Sequence, residues 1–135
     1  MDKPVMDKPS VLLTEDMPDI LKLLEILVKR AGGTPASATT LAESRALIKS
    51  TPIDLAFIDY TLPDGCGLDL CADIKARNPA ARVVLLTAHS EHSIVDKTAF
   101  AKLDAYLHKP FTLDAIEKEF AFMRPRSSAP AGGGR

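Results

Sequence analysis

Short apolar runs alternate with longer stretches of helical periodicity along most of the chain. Val11-Leu12-Leu13, Leu55-Ala56-Phe57-Ile58, Val83-Val84-Leu85-Leu86 and Ala105-Tyr106-Leu107 are apolar segments of strand length. Runs that are apolar on both faces of the pleat mark strands covered from two sides. The intervals between them read as helices. Pro18 suits the first turn of one whose apolar positions are Ile20, Leu21, Leu23, Leu24, Leu27 and Val28, and Gly32-Gly33 stop it. Thr34–Ala38 is a short second strand. Thr40 with Glu43 is a capping-box signature opening a helix through Ala42, Ala46, Leu47 and Ile48, which Pro52 ends. Gly67 to Ala76 predicts a third helix, with Leu68, Cys71 and Ile74 inward and Asn78-Pro79 closing it. Ser90 caps a fourth carrying Ile94, Val95, Ala99 and Phe100. Thr112 caps a last helix bearing Leu113, Ile116, Phe120 and Met123.

This alternation predicts an α/β fold of (βα)5 type, a parallel sheet covered on both faces with right-handed crossovers. Ligands in such sheets bind beyond the carboxyl ends of the strands. The ordered domain is expected over residues 10–123. Residues 1–9, which contain the repeat Met1-Asp2-Lys3-Pro4 and Met6-Asp7-Lys8-Pro9, read as a disordered extension. Residues 124–135, rich in Pro, Ser and Gly, read as a disordered tail too short and too polar for an output domain.

Composition narrows the function more by exclusion than by indication. The 135 residues suit one domain, and 17 basic against 18 acidic residues give a net charge of −1. No basic cluster marks a nucleic-acid surface, and no apolar run reaches membrane-span length. With no apolar signal core behind Met1, the expected compartment is the cytoplasm. Cys66 and Cys71 match neither a redox pair nor a zinc knuckle and read as free thiols, Cys71 on an inner helix face.

The chemistry gathers where the strands end. Glu15 and Asp16 follow the first strand, Asp59 ends the third, Thr87 the next, and Lys109 follows the last. Oxygen donors of this kind suit Mg²⁺. A carboxylate beside a cation can also attack a phosphoryl donor and form an acyl phosphate. Lys109 and Thr87 would then supply positive charge and a hydrogen-bond donor to the phosphoryl oxygens. Each residue alone has a plainer reading. The acid pair can cap the Pro18 helix, Asp59 can initiate the turn before Pro63-Asp64-Gly65, Thr87 can be a strand-end β-branched residue, and Lys109 a surface lysine. The order of all five on successive strands is the specific signal.

The stretches Leu13-Thr14-Glu15-Asp16-Met17-Pro18, Phe57-Ile58-Asp59-Tyr60-Thr61-Leu62-Pro63-Asp64-Gly65, Leu85-Leu86-Thr87-Ala88 and Tyr106-Leu107-His108-Lys109-Pro110-Phe111 resemble the receiver domain of two-component response regulators, from about Ser10 to Met123. The resemblance implies the flavodoxin-like, doubly wound strand order 2-1-3-4-5. It implies that Asp59 accepts a phosphoryl group from the phosphohistidine of a histidine kinase or histidine phosphotransfer protein. Mg²⁺ would be bound by Asp16 directly and by Glu15 through water, with Asp59 and the Thr61 backbone carbonyl completing the metal set. Thr87 and Lys109 would hold the phosphoryl oxygens, and the Lys109–Pro110 bond would be cis. Tyr106 matches the switch aromatic, though it also reads as a half-buried strand residue. Thr61 and His89 occupy positions that tune acyl-phosphate hydrolysis in the family.

The output implied is a phosphorylation-dependent change on the face of the fourth helix, fifth strand and last helix. A downstream protein would read that face, without direct DNA contact, from a monomer or weak dimer. Asp19, Ile20 and Leu23, with Pro110 and Phe111, are the expected docking surface for the phosphodonor. Lys102-Leu103 departs from the Gly-Ala common in relatives. Competing readings are a non-phosphorylated pseudo-receiver, a receiver excised from a hybrid kinase, and a small phosphohydrolase using Asp59. The last lacks a second acid at Thr61.

Overall fold

The computed structural model describes residues 8–87 and 103–123. Its main sheet contains β1 (Ser10–Thr14), β2 (Thr34–Ala38), β3 (Leu55–Asp59), β6 (Arg82–Thr87) and β7 (Ala105–His108). All neighbouring strands are parallel, in the order β2-β1-β3-β6-β7. A small antiparallel hairpin, β4 (Thr61–Leu62) and β5 (Gly65–Cys66), is inserted directly after β3. Leaving that hairpin aside, the sheet has the expected 2-1-3-4-5 order. Helices α1 (Pro18–Ala31), α2 (Leu41–Ser50), α3 (Leu68–Arg77) and a C-terminal helix (Leu113–Phe122) flank it. The predicted fourth helix, with Ser90, Ile94, Val95, Ala99 and Phe100, lies outside the described residues, as do His89 and Lys102.

Successive strand residues point to opposite faces, so each apolar run supplies two cores. On one face Val11, Leu13, Leu55, Phe57, Val84 and Leu86 meet Leu24, Leu27, Val28 and Ile116 of α1 and the C-terminal helix. On the other, Leu12, Ala56, Ile58 and Val83 meet Ile48, Leu70, Cys71 and Ile74 of α2 and α3. Burying each large aliphatic side chain stabilises the fold by roughly 1.5–3 kcal/mol. This double cover is what holds the strand ends in register.

The helices differ from their predicted faces in ways that have physical causes. In α1, Leu24, Leu27 and Val28 are buried, whereas Leu23 is 43% exposed. In α2 the inward positions are Leu41, Ser44 and Ile48, while Ala42 and Ala46 face out. Ser44 tolerates burial because its hydroxyl lies 2.8 Å from that of Thr14 and donates to the Thr40 carbonyl at 2.9 Å. In α3, Leu70 joins Cys71 and Ile74 inside, and Leu68 stays at the margin. In the C-terminal helix Glu119 is buried beside Ile116, its carboxylate 2.7 Å from Arg82 Nε.

Helix ends follow the sequence closely. Thr40 Oγ1 accepts the Glu43 amide at 3.1 Å, and Thr112 Oγ1 accepts the Ala115 amide at 3.2 Å. The Glu43 carboxylate reaches back to Thr39 rather than to Thr40, accepting its amide at 2.7 Å. Gly32 closes α1 in the left-handed region at φ 101°, and the Gly33 amide returns to the Val28 carbonyl.

Candidate functional site

Parallel strands deliver Glu15, Asp59, Thr87 and Lys109 to one rim because each follows or ends a strand at its carboxyl end. Glu15 is fully buried, Thr87 and Asp59 nearly so, and Asp16 is exposed. One carboxylate oxygen from each of Glu15, Asp16 and Asp59 lies within 4.8 Å of the others. Lys109 Nζ stands between two of these acids, 2.9 Å from Glu15 Oε1 and 3.1 Å from Asp59 Oδ2. The second oxygen of Asp59 accepts the Thr61 amide at 3.3 Å, and Glu15 Oε2 accepts that of Met17 at 3.2 Å. The Lys109 amide donates to the Thr87 carbonyl at 2.9 Å, and the Lys109–Pro110 peptide is cis.

The electrostatics of this group are unbalanced. Three carboxylates face one ammonium among these four side chains, leaving two negative charges in excess. Burial pushes the Glu15 carboxyl above its ordinary value; Lys109 opposes that shift, and neighbouring Asp59 adds to it. Burial draws the Lys109 ammonium down, but Glu15 and Asp59 outweigh it and hold the ammonium above its usual value.

Glu15 Oε1 is buried and meets the Lys109 ammonium at 2.9 Å. Three carboxylates so close together, two of them buried and only one ammonium among them, are a donor set that fits a hard divalent cation.

The loop after Asp59 is pinned tightly. The Tyr60 amide donates to Leu86 O at 2.9 Å, and the Gly67 amide to Tyr60 O at 2.8 Å. At Gly67 a Cβ would fall inside contact distance of the Asp59 carbonyl oxygen and 2.8 Å from Ile58 Cγ2. The start of α3 can approach the end of β3 this closely only without a side chain there.

The structure thus brings Glu15, Asp16, Asp59 and Lys109 together, with Thr61 bonded to Asp59 and Thr87 at the adjoining strand end. Tyr106 sits on edge strand β7 with 37% exposure. Of the expected docking residues, Asp19, Leu23 and Pro110 are exposed and Ile20 is half-buried. Phe111 requires a correction: it is 8% exposed and packs in the cluster with Leu13, Leu24 and Ile116, beneath that surface. In the sequence Asp64 and Gly67 read only as turn and helix-start residues. The combination of Asp, Gly and Gly within four positions was the available sign that this loop is packed against something.

Residues 11–121 match the family described as "Response regulator receiver domain". The response regulator protein PilR of Pseudomonas aeruginosa is 34% identical over 113 residues, covering 84% of this chain and 25% of PilR. The photosynthetic apparatus regulatory protein RegA of Rhodovulum sulfidophilum is 32% identical, covering 77% of this chain and 57% of RegA. The chain therefore spans between a quarter and somewhat over half the length of these relatives. Among solved structures, the response regulator TrrA of Thermotoga maritima in complex with Mg²⁺-BeF has a TM-score of 0.74 at 26% identity, covering 84% of this chain and 96% of TrrA. A CheY-like receiver domain protein of Methanospirillum hungatei has the same TM-score at 24% identity, over 85% of this chain and 92% of its own. With the strand-end acids and lysine in place on this sheet, the chain belongs to the response regulator receiver domain family.

Proposed function

We propose that this chain is a signalling phosphoacceptor whose acceptor is Asp59. The observation that carries this reading is the juxtaposition of Asp59 with Glu15, Asp16 and Lys109 at the carboxyl ends of the parallel strands. A carboxylate oxygen of Asp59 attacks the phosphorus of a phosphohistidine on a histidine kinase or phosphotransfer protein. The P–N bond breaks, the imidazole leaves with the electron pair and picks up a proton, and an acyl phosphate remains on Asp59.

Glu15, Asp16, Asp59 and the Thr61 carbonyl would hold Mg²⁺, with Glu15 acting through water. Bound there, the cation offsets repulsion between the attacking carboxylate and the phosphoryl oxygens. Lys109, already within 3.1 Å of Asp59, carries its ammonium to the incoming phosphoryl group. Thr87 supplies a hydroxyl from the neighbouring strand. The donor protein docks on the exposed Asp19, Leu23 and Pro110, with Ile20 at the margin.

Signal output follows from a shift in a two-state equilibrium, with Thr87 moving towards the phosphoryl group and Tyr106 turning inward on β7. A downstream protein that prefers one state reads the change. Titrating the chain with beryllofluoride and MgCl2 while recording amide NMR spectra tests this. Saturable shifts centred on residues around Asp59, Thr87 and Tyr106, absent in Asp59→Asn, are expected. An unchanged spectrum in the wild type would refute it and favour a binding module that keeps the fold without phosphorylation.

A further inference from the structure

The hairpin that follows Asp59 is tethered at its far end to a different helix. Asp64 Oδ1 accepts the Leu41 amide at 2.8 Å, and Oδ2 accepts the Ala42 amide at 3.2 Å. Both are first-turn donors of α2 that the Thr40 cap leaves open, so one carboxylate from the loop completes the capping of that helix end. Apolar packing reinforces the joint. Leu41 and Leu62 share a buried cluster, and Leu41 Cδ1 fills the space where a side chain on Gly65 would begin, 2.6 Å from that Cβ position. The Leu41 amide, more than any other group, holds the Asp64 carboxyl below its usual range, so the tether is ionised at neutral pH.

The near end of the same hairpin meets the acceptor. Thr61 pairs with Cys66 across the hairpin, and its amide donates to Asp59 Oδ1 at 3.3 Å. A two-residue ladder is too short to fix its own orientation in water. Its geometry is set by its anchors, which are the β3 end with the Gly67 amide on the Tyr60 carbonyl on one side and Asp64 on α2 on the other.

We propose that Asp64 is a positioning residue for the metal and phosphoacceptor site. By fastening the hairpin to α2, it fixes the backbone at Thr61, whose N–H bonds Asp59 and whose carbonyl, on the following peptide, would be offered to the cation. This rests on the reading of Asp59 as a Mg²⁺-dependent acceptor. Asp64 touches neither cation nor phosphoryl group; its effect passes entirely through the backbone at Thr61. Loss of the tether should therefore weaken Mg²⁺ binding more than it slows phosphorylation at saturating Mg²⁺.

The test compares Mg²⁺ dissociation constants of the full chain, read from amide NMR shifts during MgCl2 titration, for wild type, Asp64→Ala, Asp64→Asn and Thr40→Ala. Thr40→Ala removes the local cap of the same helix end but leaves the hairpin tether intact. Asp64→Ala is expected to raise the constant by about fivefold, below the tenfold or more typical of residues that contact metal ligands directly. Asp64→Asn keeps one acceptor oxygen and should recover most of the affinity. Thr40→Ala should bind Mg²⁺ as the wild type does, despite a comparable loss of thermal stability. Equal weakening by Asp64→Ala and Thr40→Ala would overturn the proposal, since general loosening of α2 would then suffice. An unchanged constant in Asp64→Ala would overturn it directly. A wild type that binds no Mg²⁺ would instead remove the acceptor reading, and this inference with it.

Discussion

Replacing Gly67 with alanine probes how tightly the acceptor strand is held. Gly67 has φ −60° and ψ −24°, angles that alanine adopts freely, so backbone strain contributes nothing. In an unobstructed position the change would stabilise, because alanine has less conformational entropy to lose. Here the added methyl meets the Asp59 carbonyl oxygen, with Ile58 Cγ2 at 2.8 Å and the Asp59 carbonyl carbon at 3.0 Å. Comfortable carbon contacts lie near 3.5–4.0 Å, so α3 and the end of β3 must separate by about 1 Å. Two of these atoms are backbone atoms of the sheet's third strand, and no rotamer change relieves them. Overpacking of this kind costs about 1–3 kcal/mol.

The displaced group is Asp59, the proposed acceptor, which sits 3.1 Å from Lys109 Nζ and 3.3 Å from the Thr61 amide. A shift of that size at a reacting atom lowers rate on the order of 100-fold. Urea denaturation would report the first effect and phosphorylation by acetyl phosphate at saturating Mg²⁺ the second. A Gly67→Ala variant with wild-type midpoint and wild-type rate would refute the reasoning. A loss of stability without loss of rate would refute its second half.

Further outcomes follow from other contacts. Arg82→Met leaves the Glu119 carboxylate, whose side chain is 7% exposed, buried without its cation, and should cost about 3 kcal/mol in urea denaturation. Arg82→Met combined with Glu119→Gln should recover part of that loss; equal stability of the two variants would contradict a buried ion pair. Burial, with the nearby Cys66 adding to it, pushes the Cys71 thiol up to about 12 from 9.0. Iodoacetamide at pH 8.5 should therefore label Cys66 first and Cys71 only after unfolding. Because the folded value is raised, the stabilisation from the neutral Cys71 thiol is complete below pH 9.0 and is lost as pH rises towards about 12. Simultaneous labelling of both cysteines in the native chain would contradict the assigned burial.

The sheet was legible because its strands are buried on both faces and so appear as unbroken apolar runs, such as Leu55–Ile58. The candidate site was legible for a related reason: Glu15, Asp59, Thr87 and Lys109 each end or directly follow such a run. Less visible were features whose cause lies far away in sequence. Ser44 and Glu119 belong to no apolar pattern, yet both are buried because partners from other elements, Thr14 and Arg82, satisfy them. Phe111, expected on the docking surface, is buried because the loop before the C-terminal helix turns it into the cluster with Leu13, Leu24 and Ile116. Asp104 was not singled out at all, although its carboxylate accepts from both Lys75 Nζ and the Val83 amide at 2.7 Å. The Asp64 tether was hidden by its own local sequence, in which Pro-Asp-Gly accounts for a turn without any second partner.

The central claim is that Asp59 accepts a phosphoryl group with the help of a divalent cation held by its acidic neighbours. Intact mass after incubation with acetyl phosphate tests it most directly, with and without Mg²⁺, for the wild type and for Asp59→Asn. One added phosphoryl group in the wild type, lost on treatment with EDTA beforehand and absent in Asp59→Asn, is the predicted result. An adduct of equal yield in Asp59→Asn would place the acceptor elsewhere and contradict the account.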